Sequence, residues 1–185
     1  MAEQYPALAG GQRITGALLR SMLPLTARKT ADTQRSATTT ATPDPHLQFE
    51  VEANAVYTVS GWLKYDGPTA ADLNLDWSAP TGALGEWWAV GAGHSPVISF
   101  NTTPAIVSDS QQGRGYPVRL ETNDVLQSRS YGCLGVGITL GLDIYATLRV
   151  GSTAGTWSLD WAQLVSDAAA TTLYTDSWLE LRRTA

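Results

Sequence analysis

After residue 46 the apolar residues of this chain recur at every second position, the spacing that gives a strand one dry face and one wet face. The stretch DLNLDW sets Leu73, Leu75 and Trp77 against Asp72, Asn74 and Asp76. AVYTVSGWLKY puts Tyr57, Val59, Leu63 and Tyr65 on one side and Thr58, Ser60 and Lys64 on the other. The inward set is Ile144, Ala146, Leu148 and Val150 in IYATLRV, Trp157, Leu159 and Trp161 in TWSLDW, and Leu179 and Leu181 in SWLELRR. Turn signals separate these runs, among them DGP at 66–68, APTG at 79–82 and GSTAG at 151–155. No helix-period segment of useful length follows residue 46, so the pattern predicts an all-β, antiparallel β-sandwich. Residues 82–135 are less regular and predict loops and short strands at one end of the sandwich, where binding commonly resides.

The first 45 residues read differently. RITGALLRSMLP predicts one short helix over about 14–23, with Thr15 as N-cap, a stripe of Ile14, Leu18, Leu19 and Met22, and Pro24 as stop. A helix of two turns is marginal alone in water, so the stripe needs a surface to sit on. The segment from Thr30 to Pro45, TADTQRSATTTATPDP, holds no large aliphatic or aromatic side chain. Composition alone reads as a flexible linker. Yet β-branched Thr is at home in an added strand. The expectation is that part of 30–42 runs extended beside another strand, either in the chain's own trimer or in a larger particle. The chain thus divides into an N-terminal anchoring arm, 1–45, and a β-sandwich domain, 46–185. Without the arm, the body is expected to stay folded.

Charge sharpens this division. Residues 1–38 carry five basic and two acidic groups, a net of +3, whereas the other residues carry seven basic and fifteen acidic, a net of −8. An acidic body argues against nucleic acid, which needs a clustered basic face. A basic leader suits an acidic protein surface, which makes Arg28, Lys29 and Arg35 anchoring candidates beside Ile14, Leu18, Leu19 and Met22. Charged residues are only 16% of the chain, against about 25% in ordinary domains, so much surface is neutral or covered by another subunit. The lone Cys133 leaves no internal disulfide. No run of about eighteen apolar residues could span a bilayer, and the first twenty residues lack signal-peptide order, so synthesis in a cytoplasm is expected.

Candidate chemistry is sparse. Trp87 and Trp88 are adjacent, so on a strand they face opposite ways. An exposed Trp could stack on a sugar or anchor a protein contact; the simpler reading buries one in the core and the other at a subunit interface. His94, in GAGHSP, joins them as a candidate ligand or interface residue. Neither His46 nor His94 has Cys or His at metal spacing, and no GxSxG elbow exists. Asp72, Asn74 and Asp76 share one strand face, which is better read as solvated than as a calcium site. Cys133 reads as a small buried side chain. No catalytic residue, metal or cofactor is expected.

Four stretches carry a resemblance: GQRITGALLRSMLPLTARKTADTQRSATTT, DPHLQFEVEANAVYTVSGWLKYDG, AADLNLDWSAPTGA and DWAQLVSDAAATTLYTDSWLELRRTA. They resemble small virion-associated proteins, of minor tail or head decoration type, from tailed phages of actinobacteria such as Streptomyces. The resemblance covers both ends and the main strands, and is weakest over 85–135. It implies a virion location after synthesis in the host bacterial cytoplasm. It also implies a jelly-roll (TNF-like) sandwich that forms a homotrimer. The partners would be the major capsid protein or tail proteins, with a host glycan as a further candidate, and neither nucleic acid nor membrane. A head decoration protein seated by residues 1–45 is the leading expectation, and a tail-fibre or tail-tip component the alternative.

Overall fold

In the computed structural model, which describes residue 6 and residues 8–92, 97–100, 103–106, 118–119 and 123–185, the alternating runs become strands of an antiparallel β-sandwich. The strands are β1 (Leu25–Arg28), β2 (Thr33–Arg35), β3 (Thr42–Val51), β4 (Val56–Gly67), β5 (Leu73–Ser78) and β6 (Leu84–Ala92). A hairpin of β7 (Val97–Phe100) and β8 (Thr103–Ile106) follows, then the short β9 (Val118–Arg119), β10 (Asn123–Asp124) and β11 (Arg129–Tyr131). The chain continues through β12 (Gly135–Arg149), β13 (Gly155–Gln163), β14 (Thr171–Leu173) and β15 (Trp178–Arg183). The larger sheet runs β1-β15-β4-β12-β6-β10, with β14 bridging β2 to β4 and β9 on the far end of β6. The smaller sheet runs β11-β5-β13-β3.

Alternation decides which side chains meet between the sheets. Tyr57, Val59, Leu63 and Tyr65 of β4, Ile144 and Leu148 of β12, and Leu179 and Leu181 of β15 point inward and are buried. Leu73, Leu75 and Trp77 of β5 with Trp157, Leu159 and Trp161 of β13 face them. Aromatic rings fill the middle. Trp77 lies flat on Trp157 with centroids 4.3 Å apart, Trp87 meets Trp77 edge-on at 5.7 Å, and Phe49 closes the row at 6.2 Å from Trp157. Offset and T-shaped pairs of this kind add about 0.5–1.5 kcal/mol beyond burial. Four of the seven Trp residues, Trp77, Trp87, Trp157 and Trp161, are therefore consumed by this chain's own core and need no second subunit to cover them.

One inward position has no room for a side chain. A Cβ on Gly61 of β4 would fall 2.3 Å from a Leu179 methyl and 2.7 Å from the Trp178 carbonyl, so β15 packs directly on bare backbone there.

The boundary expected at residue 45 falls near residue 24. β1 pairs with β15 in the register Leu25↔Leu181 to Arg28↔Trp178, β2 pairs with β14, and β3 begins at Thr42. Part of the 30–42 segment, Thr33–Arg35, runs beside another strand, but that strand is β14 of the same chain. Among the described residues of the leader, those before β1 pair with neither sheet. There the helix α1 (Gly16–Ser21) forms, capped by the Thr15 hydroxyl, which accepts from the Leu18 amide at 3.2 Å. No residue of α1 is buried.

Candidate functional site

The seven side chains expected to anchor the chain separate into two sets. Ile14, Leu19 and Met22 are 71%, 53% and 42% exposed, and Leu23 and Leu25 extend the same apolar surface. Leu18 is half-buried. The end of α1 lies against the rim of the large sheet, leaving a cleft of about 80 Å³ that Leu23, Leu25, Tyr57 and Leu181 help to line. This is the unpartnered stripe the sequence predicts.

The three cations behave otherwise: Lys29 and Arg35 turn into this chain's own fold, while Arg28 stays on the surface. Lys29 is fully buried, with its Nζ 2.6 Å from Asp44 Oδ2 and 2.8 Å from the Thr33 hydroxyl, to which it donates. Burial lowers its amine below the ordinary lysine range, and the Asp44 carboxylate offsets that only in part. Arg35 lays its guanidinium 4.1 Å from the centre of the Trp161 ring and donates to the Thr42, Pro43 and Trp161 carbonyls. Arg28 pairs with Asp176 on the surface. Each cation holds the 25–45 segment to its own sandwich, because each found an acceptor within the chain. Charge on a leader could not reveal that, since Asp176 and Trp161 come from strands and turns far away in sequence, and Asp44 meets Lys29 only once the chain between them has folded back.

The Trp87–Trp88 pair divides as strand geometry requires. Trp87 is buried and its indole Nε1 donates to the Gln127 carbonyl at 3.1 Å. Trp88 points out and stacks on Tyr145 at 4.8 Å with 22° between the ring planes. They are cross-strand neighbours, Tyr145 of β12 opposite Trp88 of β6. Alternation puts Trp62 of β4 and Trp178 of β15, directly opposite one another, on this same outer face. All three Trp residues outside the core thus lie on one face of the large sheet. Asp143 sits between the aromatic pairs, opposite both Trp62 and Val90, and Glu180 lies opposite Ser60. At the far edge a shallow depression of about 350 Å³ is lined by Glu86, Asn123, Asp124 and Gln127. The result is a sheet face that carries aromatic rings with hydrogen-bonding groups beside them. Tyr145, Trp62 and Trp178 were missed by sequence reasoning; alternation gives their outward direction, but only strand pairing brings them near Trp88. His94 lies outside the described residues.

The remaining chemistry is structural. Cys133 is buried, and burial pushes its thiol up to about 12, so it offers no thiolate at neutral pH. The supposed solvated trio divides. Asp72 is buried with φ of 54° and accepts from the Cys133 amide at 2.9 Å, while Asn74 and Asp76 project from β5. Burial raises the Asp76 carboxyl, with the backbone amide of Trp77 opposing the shift. Among the described residues, no three His, Cys, Asp or Glu side chains come together as a cation site.

No family model matches the chain, and no curated protein does. Among solved structures, one of the infectious bursal disease virus Gt strain is similar over 98% of this chain at 11% identity, with a TM-score of 0.20. The infectious bursal disease virus VP2 subviral particle is similar over 87% at 10% identity, with a TM-score of 0.19. The chain spans 47% and 41% of those two chains, somewhat under half of each. Likeness at this level carries no argument about role, and the sandwich stands on its own strands and registers.

Proposed function

We propose that this chain is a virion structural protein, a head decoration protein of a tailed phage, seated on the particle by the residues before β1. The observation that carries this reading is the apolar surface of Ile14, Leu19, Met22 and Leu23, exposed on and beside a helix that buries none of its residues. A two-turn helix gains its stability from a surface it packs on, and here its end shares a cleft with the sandwich while most of its stripe is exposed. A docking partner with an apolar groove, such as the major capsid protein, supplies that surface. The resemblance of the N-terminal and C-terminal stretches to phage virion proteins points the same way. A homotrimer is compatible with this seat, using the aromatic outer face as its contact.

The test is addition of purified protein to assembled capsids and to isolated tails. Decoration of capsids alone is expected, with loss of binding in a Leu19→Ser, Met22→Ser double variant. Labelling of tails alone would replace this reading by the second. In that second reading the chain is a tail-fibre or tail-tip component, and the Trp88–Tyr145 stack holds a host surface glycan. Its test is binding of host wall polysaccharide by the wild type and not by Trp88→Ala. The chain acts as a binding and assembly protein in both readings, without catalysis on a bound substrate.

A further inference from the structure

We propose that Lys29 and Asp44 condense into an intramolecular isopeptide bond, which staples the end of β1 to β3. The two side chains are in contact, Nζ to Oδ2 at 2.6 Å, and both are fully buried. Lysine is almost never buried to this degree. An enclosed ammonium and carboxylate each carry a large desolvation penalty. Passing one proton from Nζ to the carboxylate frees the amine, the neutral form that burial favours for Lys29. The amine is then a nucleophile held 2.6 Å from an oxygen of that acyl group, away from bulk water.

The neighbours fit the step. The Trp161 indole donates to Asp44 Oδ2 at 3.1 Å, and the His46 amide donates to Oδ1 at 2.9 Å. Two fixed donors thus face the oxygens on which negative charge grows as the carbon becomes tetrahedral. The Thr33 hydroxyl accepts from Nζ and aims it. His46 Nδ1 is buried without a hydrogen-bond partner and lies 3.8 Å from Asp44 Oδ1, placed to carry a proton. The reaction balances within the site. The Nζ–Cγ bond forms, the Cγ–OH bond breaks, and the hydroxyl leaves with an amine proton as water. An ammonium and a carboxylate become one neutral amide, and no oxidant or activating group is required. The bond joins opposite sheets and closes the Thr-rich segment in a chain that has no disulfide.

Intact-mass spectrometry of the purified full chain tests this directly. The expected mass is one water below that of the sequence, with a branched proteolytic peptide joining the Lys29 and Asp44 segments. The branched peptide is required, because a succinimide at Asp66-Gly67 would also remove one water. Lys29→Arg keeps a cation at the position and is expected to restore the full mass for its sequence. In His46→Gln the water is expected to leave more slowly after refolding. Folded wild-type protein that keeps the full sequence mass on prolonged incubation, or that yields Lys29 as a linear peptide, overturns the proposal. Both of these outcomes are read on the wild type and so do not depend on a variant folding. They are also independent of where the protein sits on a particle.

Discussion

Residues 14–24 and residues 25–45 lie side by side in sequence and have exchanged the roles their compositions suggest. The first holds most of the large apolar side chains of the leader and leaves them in solvent. The second is built largely of Thr, Ala, Arg and Asp, yet it contains the fully buried Lys29 and Asp44 and supplies edge strands to both sheets. Hydrophobicity alone would order them the other way. What decides is whether a segment's polar groups find partners. The 25–45 stretch has backbone pairing with β15 and β14, a buried ion pair, and an arginine spanning three carbonyls. The α1 segment has a good cap and nothing to cover its stripe.

Truncation tests this contrast most strongly. Removing residues 1–23 is expected to leave the melting temperature unchanged within about 1–2 °C, since α1 buries none of its residues. Removing residues 1–45 strips β1 from Leu179 and Leu181 and takes away Lys29, Arg35 and Asp44. The body is expected to lose cooperative unfolding by circular dichroism. A cooperative melt from the shorter body would erase the distinction between the two segments.

Next in size is Asp44→Ala. It leaves Lys29 buried without its carboxylate and Trp161 Nε1 without its acceptor, and is expected to destabilise by about 3–5 kcal/mol in urea titrations. Arg35→Ala removes a ring contact and three hydrogen bonds to carbonyls, with an expected loss of about 1–3 kcal/mol. The smallest effect belongs to α1. Leu19→Ser with Met22→Ser is expected to change unfolding free energy by less than about 0.5 kcal/mol while abolishing particle binding. A large loss of stability there would mean that the stripe is already seated on its own sandwich.

The strands were legible because period two survives any rearrangement of partners. Tyr57, Leu63, Leu75, Trp157 and Leu181 all face inward as alternation requires. Helix α1 was legible from Thr15 and Pro24, which bound it chemically. The domain boundary was not, because β1 and β2 owe their existence to strands roughly 140–150 residues downstream. The same limit applies to the candidate site. Trp88 was recognisable as a surface ring, but its stack on Tyr145 and the company of Trp62 and Trp178 depend on strand order. Short leader strands with no periodicity of their own take their structure from whichever edge accepts them.

The pairing of Leu25 with Leu181 has a consequence for biogenesis. β1 leaves the ribosome with no partner and must wait through about 150 further residues of synthesis before its edge exists, which at ordinary elongation rates takes several seconds. Throughout that interval the nascent leader displays its leucines together with an unsatisfied strand, a combination that invites capture by chaperones or by neighbouring nascent copies.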